Sequence, residues 1–446
     1  MGVVIETEVW EPNKALYIFI FICCFFSIFC LPNKATPNVF DHAPSSSLLR
    51  FQRTFLLFYS LSSVIEGLWE VFGEYEWTYY GVSKVQMVMP LCVGYGVSLF
   101  IGSFLGMLSD LIGHKKLCLL FYMLHLFVGI WKRITADPAI WLASICLSLA
   151  SSIFSFSFET WMVVENDKLG QRQDTLNDMF WLMTFAESAS FIGSQVLGNW
   201  LIDSNVNKNI ASICNAAIVI TVIAITYVTR GWKEAPQAAS FKDYRILFYR
   251  NVISDKRIWL LSWVQACVHF SVAAFWILWA PTIVADGRDV SLGLIYPCFL
   301  GARMLGSTGF PWLFNGPLSI RMEECLVYLL IVMGLVFSIV AYDYQEIGVL
   351  VMLFMLFHAC LGVVLPSLAR LRSMYVPNEV RGGMMSLSLV PANAIFLFLL
   401  VQGGYYKSIW NSTILAFAAL GLFSAACCLH ILKKWGKQLH QNRRNL

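Results

Sequence analysis

The sequence predicts an all-α polytopic membrane protein: one N-terminal helix followed by two lobes of six helices. Three observations carry this. Hydrophobic residues make up 58% of the 446 and charged residues only 13%, about half the usual charged share of a soluble domain. Apolar runs recur along the chain at the length, about 20 residues, that a helix needs to cross a bilayer. The basic residues then distribute unevenly between the two sides that those runs define. With a mean hydropathy of +0.67, a soluble fold could not cover its own surface. A cytosolic enzyme, a disordered chain and a disulfide-stapled secreted domain are excluded. A net charge of +4 is too small to imply nucleic acid as a partner.

The first run, 15–31, is short. Its leader carries Glu6, Glu8 and Glu11 against Lys14, whereas a cleaved signal peptide wants a basic leader and a small-residue cut site. It is expected to be a retained helix with the N-terminus outside. Met1-Gly2 does not complete a myristoylation motif, because position 6 is Glu. The first lobe follows with runs at 54–73, 86–109, 117–131, 140–164, 179–202 and 209–229. The second has runs at 258–284, 291–313, 324–341, 348–369, 384–404 and 411–432. Continuous runs argue for helices, since lipid offers no partner to unpaired backbone groups. If the 32–53 connection is cytoplasmic, 23 of the 31 Lys and Arg lie in cytoplasmic segments, 7 outside, and Arg303 within a span. That is the positive-inside pattern. The expected division is an N-terminal segment with the extra helix, 1–50; a first lobe, 51–229; a cytoplasmic connection, 230–257; a second lobe, 258–433; and a basic tail, 434–446. The plasma membrane is preferred to an internal one.

In the connection, Lys242, Arg245, Arg250, Lys256 and Arg257 interleave with Phe241, Tyr244, Ile246, Leu247 and Phe248. This fits either an amphipathic helix on the inner leaflet or a solvated linker. All 13 cysteines fall in apolar runs and none forms C-x-x-C, so they read as small packing residues. Asn411-Ser412-Thr413 is a glycosylation sequon close to the membrane. The basic tail reads as an inner-leaflet anchor. Six helices, a basic connection and six more is the layout of a two-lobed transporter with its substrate site between repeats.

The specific signal lies between the second and third helices of the first lobe: Gly106-Met107-Leu108-Ser109-Asp110-Leu111-Ile112-Gly113-His114-Lys115-Lys116. Gly106 allows close helix approach. Asp110 stands where a carboxylate can meet a facing helix N-terminus or a basic side chain. Gly113 permits the turn, and Lys115 and Lys116 hold the loop on the cytoplasmic side. This stretch resembles the signature G-x-L-A-D-R-x-G-R-K of the major facilitator superfamily, with Leu111 and His114 replacing its usual basic residues. A second stretch runs from Pro366 to Arg381 and contains Arg372, Tyr375, Pro377 and Glu379. It resembles the molybdate-anion transporter branch of that superfamily. So do Phe51–Leu61 (FQRTFLLFYSL), Phe158-Glu159-Thr160-Trp161, and Gln265 with Trp279-Ala280-Pro281. Against that branch's pattern, His269 and His358 replace acidic residues, Leu389 a basic one, Glu66 an Asp, and Arg303 an apolar residue.

Ionisable groups inside spans mark a pathway or a structural pair. The first lobe carries Glu66 and Glu70, one helical turn apart, with Glu159 and Glu187. Trp69, Trp161, Trp181 and Phe185 flank them. The second carries His269, Arg303 and His358. The acids are candidates for proton coupling. The basic groups are candidates for anion attraction, with Ser307 and Gln265 as hydrogen-bonding partners. No P-loop, G-x-S-x-G or H-E-x-x-H is present, so no enzyme activity, cofactor or metal is expected. The resemblance implies the major facilitator fold, alternating access and a small oxyanion such as molybdate. Two rivals stay open: a proton-coupled carrier of another small solute, and a non-transporting scaffold or receptor on the same fold.

Overall fold

The computed structural model describes residues 9–30, 46–79, 84–135, 140–168, 173–203, 211–231, 241–285, 288–315, 321–342, 346–405 and 410–444. Among the described residues the chain is helical almost throughout and forms no strand, only an isolated bridge between Trp10 and Val290. The helices are α1 (Lys14–Phe29), α2 (Ser46–Tyr79), α3 (Lys84–Val97), α4 (Ser103–Ile112), α5 (His114–Ile134), α6 (Ile140–Lys168), α7 (Gln173–Asp203) and α8 (Ala211–Gly231). They continue as α9 (Phe241–Phe248), α10 (Lys256–Ile283), α11 (Leu292–Asn315), α12 (Met322–Ala341), α13 (Ile347–Tyr375), α14 (Arg381–Ser388), α15 (Val390–Leu400) and α16 (Asn411–Arg444). A π turn at Ser98–Gly102 joins α3 to α4, so those two form one continuous run.

Over the described residues, each of the thirteen apolar runs falls mainly on one of these helices or on helices that follow one another directly. Among the described residues nine helical segments are long and apolar enough to cross a membrane, and α1 is a shorter apolar helix. Several helices outrun their apolar stretches. α16 extends to Arg444, so the basic tail is largely helical rather than loose. The connection contains a real helix, α9, prolonged by a π turn at Tyr249–Ile253.

Lipid explains the side-chain pattern. Phe19, Phe21, Phe100, Phe104, Trp200, Phe398 and Leu420 are exposed, which suits a bilayer and would be a liability in water. Buried hydroxyls turn back on their own helices: Ser62, Thr160, Ser188, Thr221 and Ser271 each donate to the carbonyl four residues earlier. These hydroxyls then need no lipid partner.

The chain forms two compact units. One comprises Met1–Lys34, Cys267–Ser367 and Ile409–Leu446; the other Ala35–Ala266 and Leu368–Ser408. In the first, α12 packs along α16 and α1 lies against α11. α1 buries Ile20 and Cys24. It is tied to α11 by Tyr17 Oη donating to the Leu294 carbonyl, Ser27 Oγ to the Thr308 carbonyl at 3.3 Å, and Trp312 Nε1 to the Ser27 carbonyl at 3.1 Å. In the second unit, α2 packs on α7, α5 on α6 and α8, and α4 on α14. An aromatic core of Phe55, Phe58, Phe121, Tyr122, Phe158 and Trp161 joins α2, α5 and α6. Its rings meet mostly edge to face, as for Phe58 and Trp161 at 5.2 Å and 82°, a geometry worth about 0.5–1.5 kcal/mol per pair beyond burial.

Candidate functional site

The signature loop is built first from backbone. Gly113 ends α4 with φ 110°, in the left-handed region that favours glycine. Its N–H bonds the Ser109 carbonyl at 3.0 Å, and the chain turns directly into α5. His114 closes the corner with Nδ1 2.6 Å from Ser109 Oγ. Lys115 and Lys116 follow in the first turn of α5, half-buried and exposed.

This corner presents Asp110 to the start of α14. Asp110 Oδ1 accepts the Gly382 N–H at 3.0 Å and Oδ2 the Gly383 N–H at 2.8 Å. A carboxylate at a helix N-terminus satisfies two orphan donors and complements the helix dipole. Tyr244 of α9 adds a third bond, its hydroxyl donating to Oδ2 at 3.0 Å. Gly106 lets α4 and α14 touch backbone to backbone: a Cβ there would collide with the Gly382 carbonyl oxygen. Ser386 Oγ closes the contact by donating to the Ser103 carbonyl at 2.8 Å. The whole forms a latch between α4 and α14.

Next to it, in the same unit, Glu159 of α6 and Arg372 of α13 form a two-pronged ion pair. Arg372 Nε reaches Oε1 at 2.9 Å and Nη2 reaches Oε2 at 2.5 Å. The third arm, Nη1, donates to Gln265 Oε1. The structure thus brings together Glu159, Gln265 and Arg372, which the sequence offered as separate candidates. Arg381 is only 1% exposed. Its Nη2 bonds the Val376 carbonyl at 3.0 Å and Asn378 Oδ1 at 3.1 Å, so it folds the Val376–Arg381 corner around itself. Pro377 opens the short helical turn Asn378–Val380 there, and Glu379 points outward. Tyr375 lies under the Arg257 guanidinium, 5.9 Å from ring centre to Cζ.

Deeper in this unit Glu66 of α2 meets His125 of α5, Oε2 to Nε2 at 3.1 Å. His125 is buried against the Phe121 ring at 4.5 Å. Nearby on the same two helices, Lys132 lies 4.8 Å over the Trp69 ring, and Tyr59 donates to Glu187 Oε2 of α7 at 2.5 Å. Glu70 is exposed.

In the other unit, Arg303 and Ser307 lie one turn apart on α11, 5% and 0% exposed. His358 and Gly362 lie one turn apart on α13. A Cβ on Gly362 would collide with the Arg303 carbonyl oxygen and stand 2.7 Å from the Ser307 nitrogen, so the helices cross at backbone contact here. His358 is enclosed by Phe275, Trp276, Phe299 and Phe357, stacking on Phe299 at 5.6 Å. Neither of its ring nitrogens has a hydrogen-bond partner among the described residues, and Arg303 is within electrostatic reach. His269 of α10 is half-buried. Among the described residues no three His, Cys, Asp or Glu side chains converge as a metal site.

Sequence reasoning did not single out His125, Gly382, Gly383, Ser386, or Tyr244 as a polar group. Tyr244, Phe248 and Val252 repeat at four-residue intervals and are the buried positions among the described residues of the connection. That spacing was the available signal. For His125 there was only a lone His in an apolar run.

Comparison with known proteins gives the family and the fold. The profile of a family described as sugar transporters with twelve transmembrane segments matches residues 20–364. The molybdate-anion transporter of Xenopus tropicalis is 24% identical over 329 residues, covering 71% of each chain. That of Takifugu rubripes is 22% identical over 400 residues, 81% of each. Among solved structures, the Escherichia coli fucose:proton symporter covers 86% of this chain and 99% of its own, with a TM-score of 0.66 at 12% identity. The human organic anion transporter MFSD10 covers 85% and 99%, with 0.65 at 15%. The fold is therefore the major facilitator fold, and the chain belongs to that superfamily's twelve-span sugar-transporter family of membrane transporters.

Proposed function

We propose that this transporter moves a small anion, with molybdate the candidate suggested by its relatives, by alternating access across the plasma membrane. The carrying observation is Arg303. A guanidinium 5% exposed within a span is costly unless it serves a partner or a pathway. It shares the α11–α13 crossing with His358, whose ring N–H is a further donor suited to a tetrahedral oxyanion, while the Ser307 hydroxyl beside it donates to the Met304 carbonyl at 2.7 Å. The α4–α14 latch supports alternating access, because it is a contact that a second state would have to break. The lobes 51–229 and 258–433, the extra helix, and an outside N-terminus with a cytoplasmic C-terminus complete this reading.

The test is uptake into proteoliposomes of molybdate, sulfate, a neutral sugar and a divalent cation. Arg303→Lys keeps the charge and loses the planar fork; it should retain reduced uptake. Arg303→Leu removes a bond to a charged group worth about 1.5–3 kcal/mol, so uptake at low substrate should fall about 10–150-fold. Cation uptake, or full activity in the Leu variant, rejects the anion reading. Proton coupling is a second element of the proposal, favoured by the Glu66–His125 contact: acid–histidine pairs inside membranes are the usual material of proton relays. It would serve an anion or another small solute equally. A non-transporting scaffold has no use for a latch made of four interlocking polar contacts.

A further inference from the structure

We propose that the connection between the two six-helix sets is a working part of the gate, with the Tyr244 hydroxyl as the positioning group that holds Asp110 on α14. This rests on the transporter reading.

α9 is two-faced. Tyr244 and Phe248, and Val252 in the following π turn, are buried, while Lys242, Arg245, Ile246, Tyr249 and Arg250 are exposed. The buried face lies directly on the latch. Tyr244 and Phe248 pack ring to ring at 5.8 Å. A Cβ added to Gly383 would collide with the Tyr244 hydroxyl and stand 3.0 Å from the Phe248 ring. The connection is therefore fitted against the third residue of α14, not merely tethered nearby.

The chemistry of the contact is directional. Asp110 is 4% exposed and accepts three donors: the Gly382 N–H, the Gly383 N–H and the Tyr244 O–H. Two come from the helix that Asp110 grips and one from the connection. Burial, and then the neighbouring Asp110 charge, push the Tyr244 hydroxyl well above its ordinary pKa, so it stays protonated and meets the carboxylate, which can only accept, as a donor. With both oxygens engaged, the carboxylate is fixed in the plane that both glycine N–H groups need. Without the hydroxyl, one bond to Oδ2 is lost and the carboxylate gains freedom to turn. A bond to a charged group of this kind corresponds to roughly a 10–150-fold bias toward the latched state.

The test reads the latch itself and needs no knowledge of substrate, so failure of the anion reading leaves it intact. Amide hydrogen exchange is followed on the full-length protein in lipid nanodiscs, in peptides covering 376–388, against peptides from α12 and α16 as internal reference. Tyr244→Phe keeps the ring on Phe248 and removes only the hydroxyl. The expected result is exchange at Gly382 and Gly383 faster by about ten-fold or more, since exchange tracks the opening equilibrium, with α12 and α16 unchanged. Asp110→Asn supplies the second arm: adding Tyr244→Phe to it should bring little further change, because the two groups act through one bond. Wild-type exchange in Tyr244→Phe alongside fast exchange in Tyr244→Ala would reduce α9 to packing and overturn the proposal. So would additive effects of Tyr244→Phe and Asp110→Asn, or equal acceleration in α12 and α16.

Discussion

Replacing Glu159 by Gln separates two roles that a buried carboxylate in a transporter can have. Gln keeps the shape and one accepting oxygen but removes the charge. Arg372, 5% exposed and gripping Glu159 by Nε and Nη2, is then left as a buried cation facing a neutral amide. Two bonds of the charge-assisted kind, each about 1.5–3 kcal/mol, set the gross loss at roughly 3–6 kcal/mol. Removing one partner of buried pairs elsewhere costs about 3–5 kcal/mol. Because Gln retains one bond, and Gln265 still holds Nη1, the expected loss is near the lower end, about 3 kcal/mol. The double variant Glu159→Leu/Arg372→Leu removes both charges and should recover most of that stability. The assay is a double-mutant cycle on denaturant and thermal unfolding of the purified protein, with substrate uptake recorded on the same preparations. If Glu159→Gln unfolds like wild type yet transports nothing, Glu159 is a transport group and the structural reasoning fails.

Gly106→Val places a branched side chain against the Gly382 carbonyl; it should prevent the α4–α14 latch from closing, cut transport, and leave membrane insertion intact, as read by uptake and surface labelling. Glu66→Gln should still exchange solute at equilibrium but no longer concentrate it under a pH gradient, and His125→Gln should share that phenotype because the two side chains form one contact; unchanged gradient-driven uptake in both rejects the relay. Tags at the two termini should show opposite protease protection in sealed vesicles, with the C-terminal tag cytoplasmic, and protection of both on one side would remove α1 as a spanning helix.

The helices were legible because each apolar run is long and continuous, a signal that lipid enforces residue by residue. The latch was half legible. Gly106, Asp110 and Gly113 stand within eight positions of one another and announce a motif, but the N–H groups that Asp110 grips are more than 270 positions away. Glu159 and Arg372 were both visible, each inside its own family-like stretch. Their pairing across 213 positions was not, because nothing local distinguishes a paired carboxylate from one lining a pathway. His125 left the faintest trace: a single histidine in an apolar run reads the same whether it meets an acid or only aromatic rings.

The small bonds between α1 and α11 give that pair mechanical meaning. α11 contains Pro297 and Pro311, each of which deletes a rung of the helix ladder and invites a hinge. α1 fastens to α11 at Leu294, three residues before the first break, and at Thr308 and Trp312 on both sides of the second. It acts as a splint across both weak points. A segment with two hinges could buckle as the transporter cycles. Braced, it becomes a strut, so bending must be taken up elsewhere, and Arg303 rides between the two fastened ends.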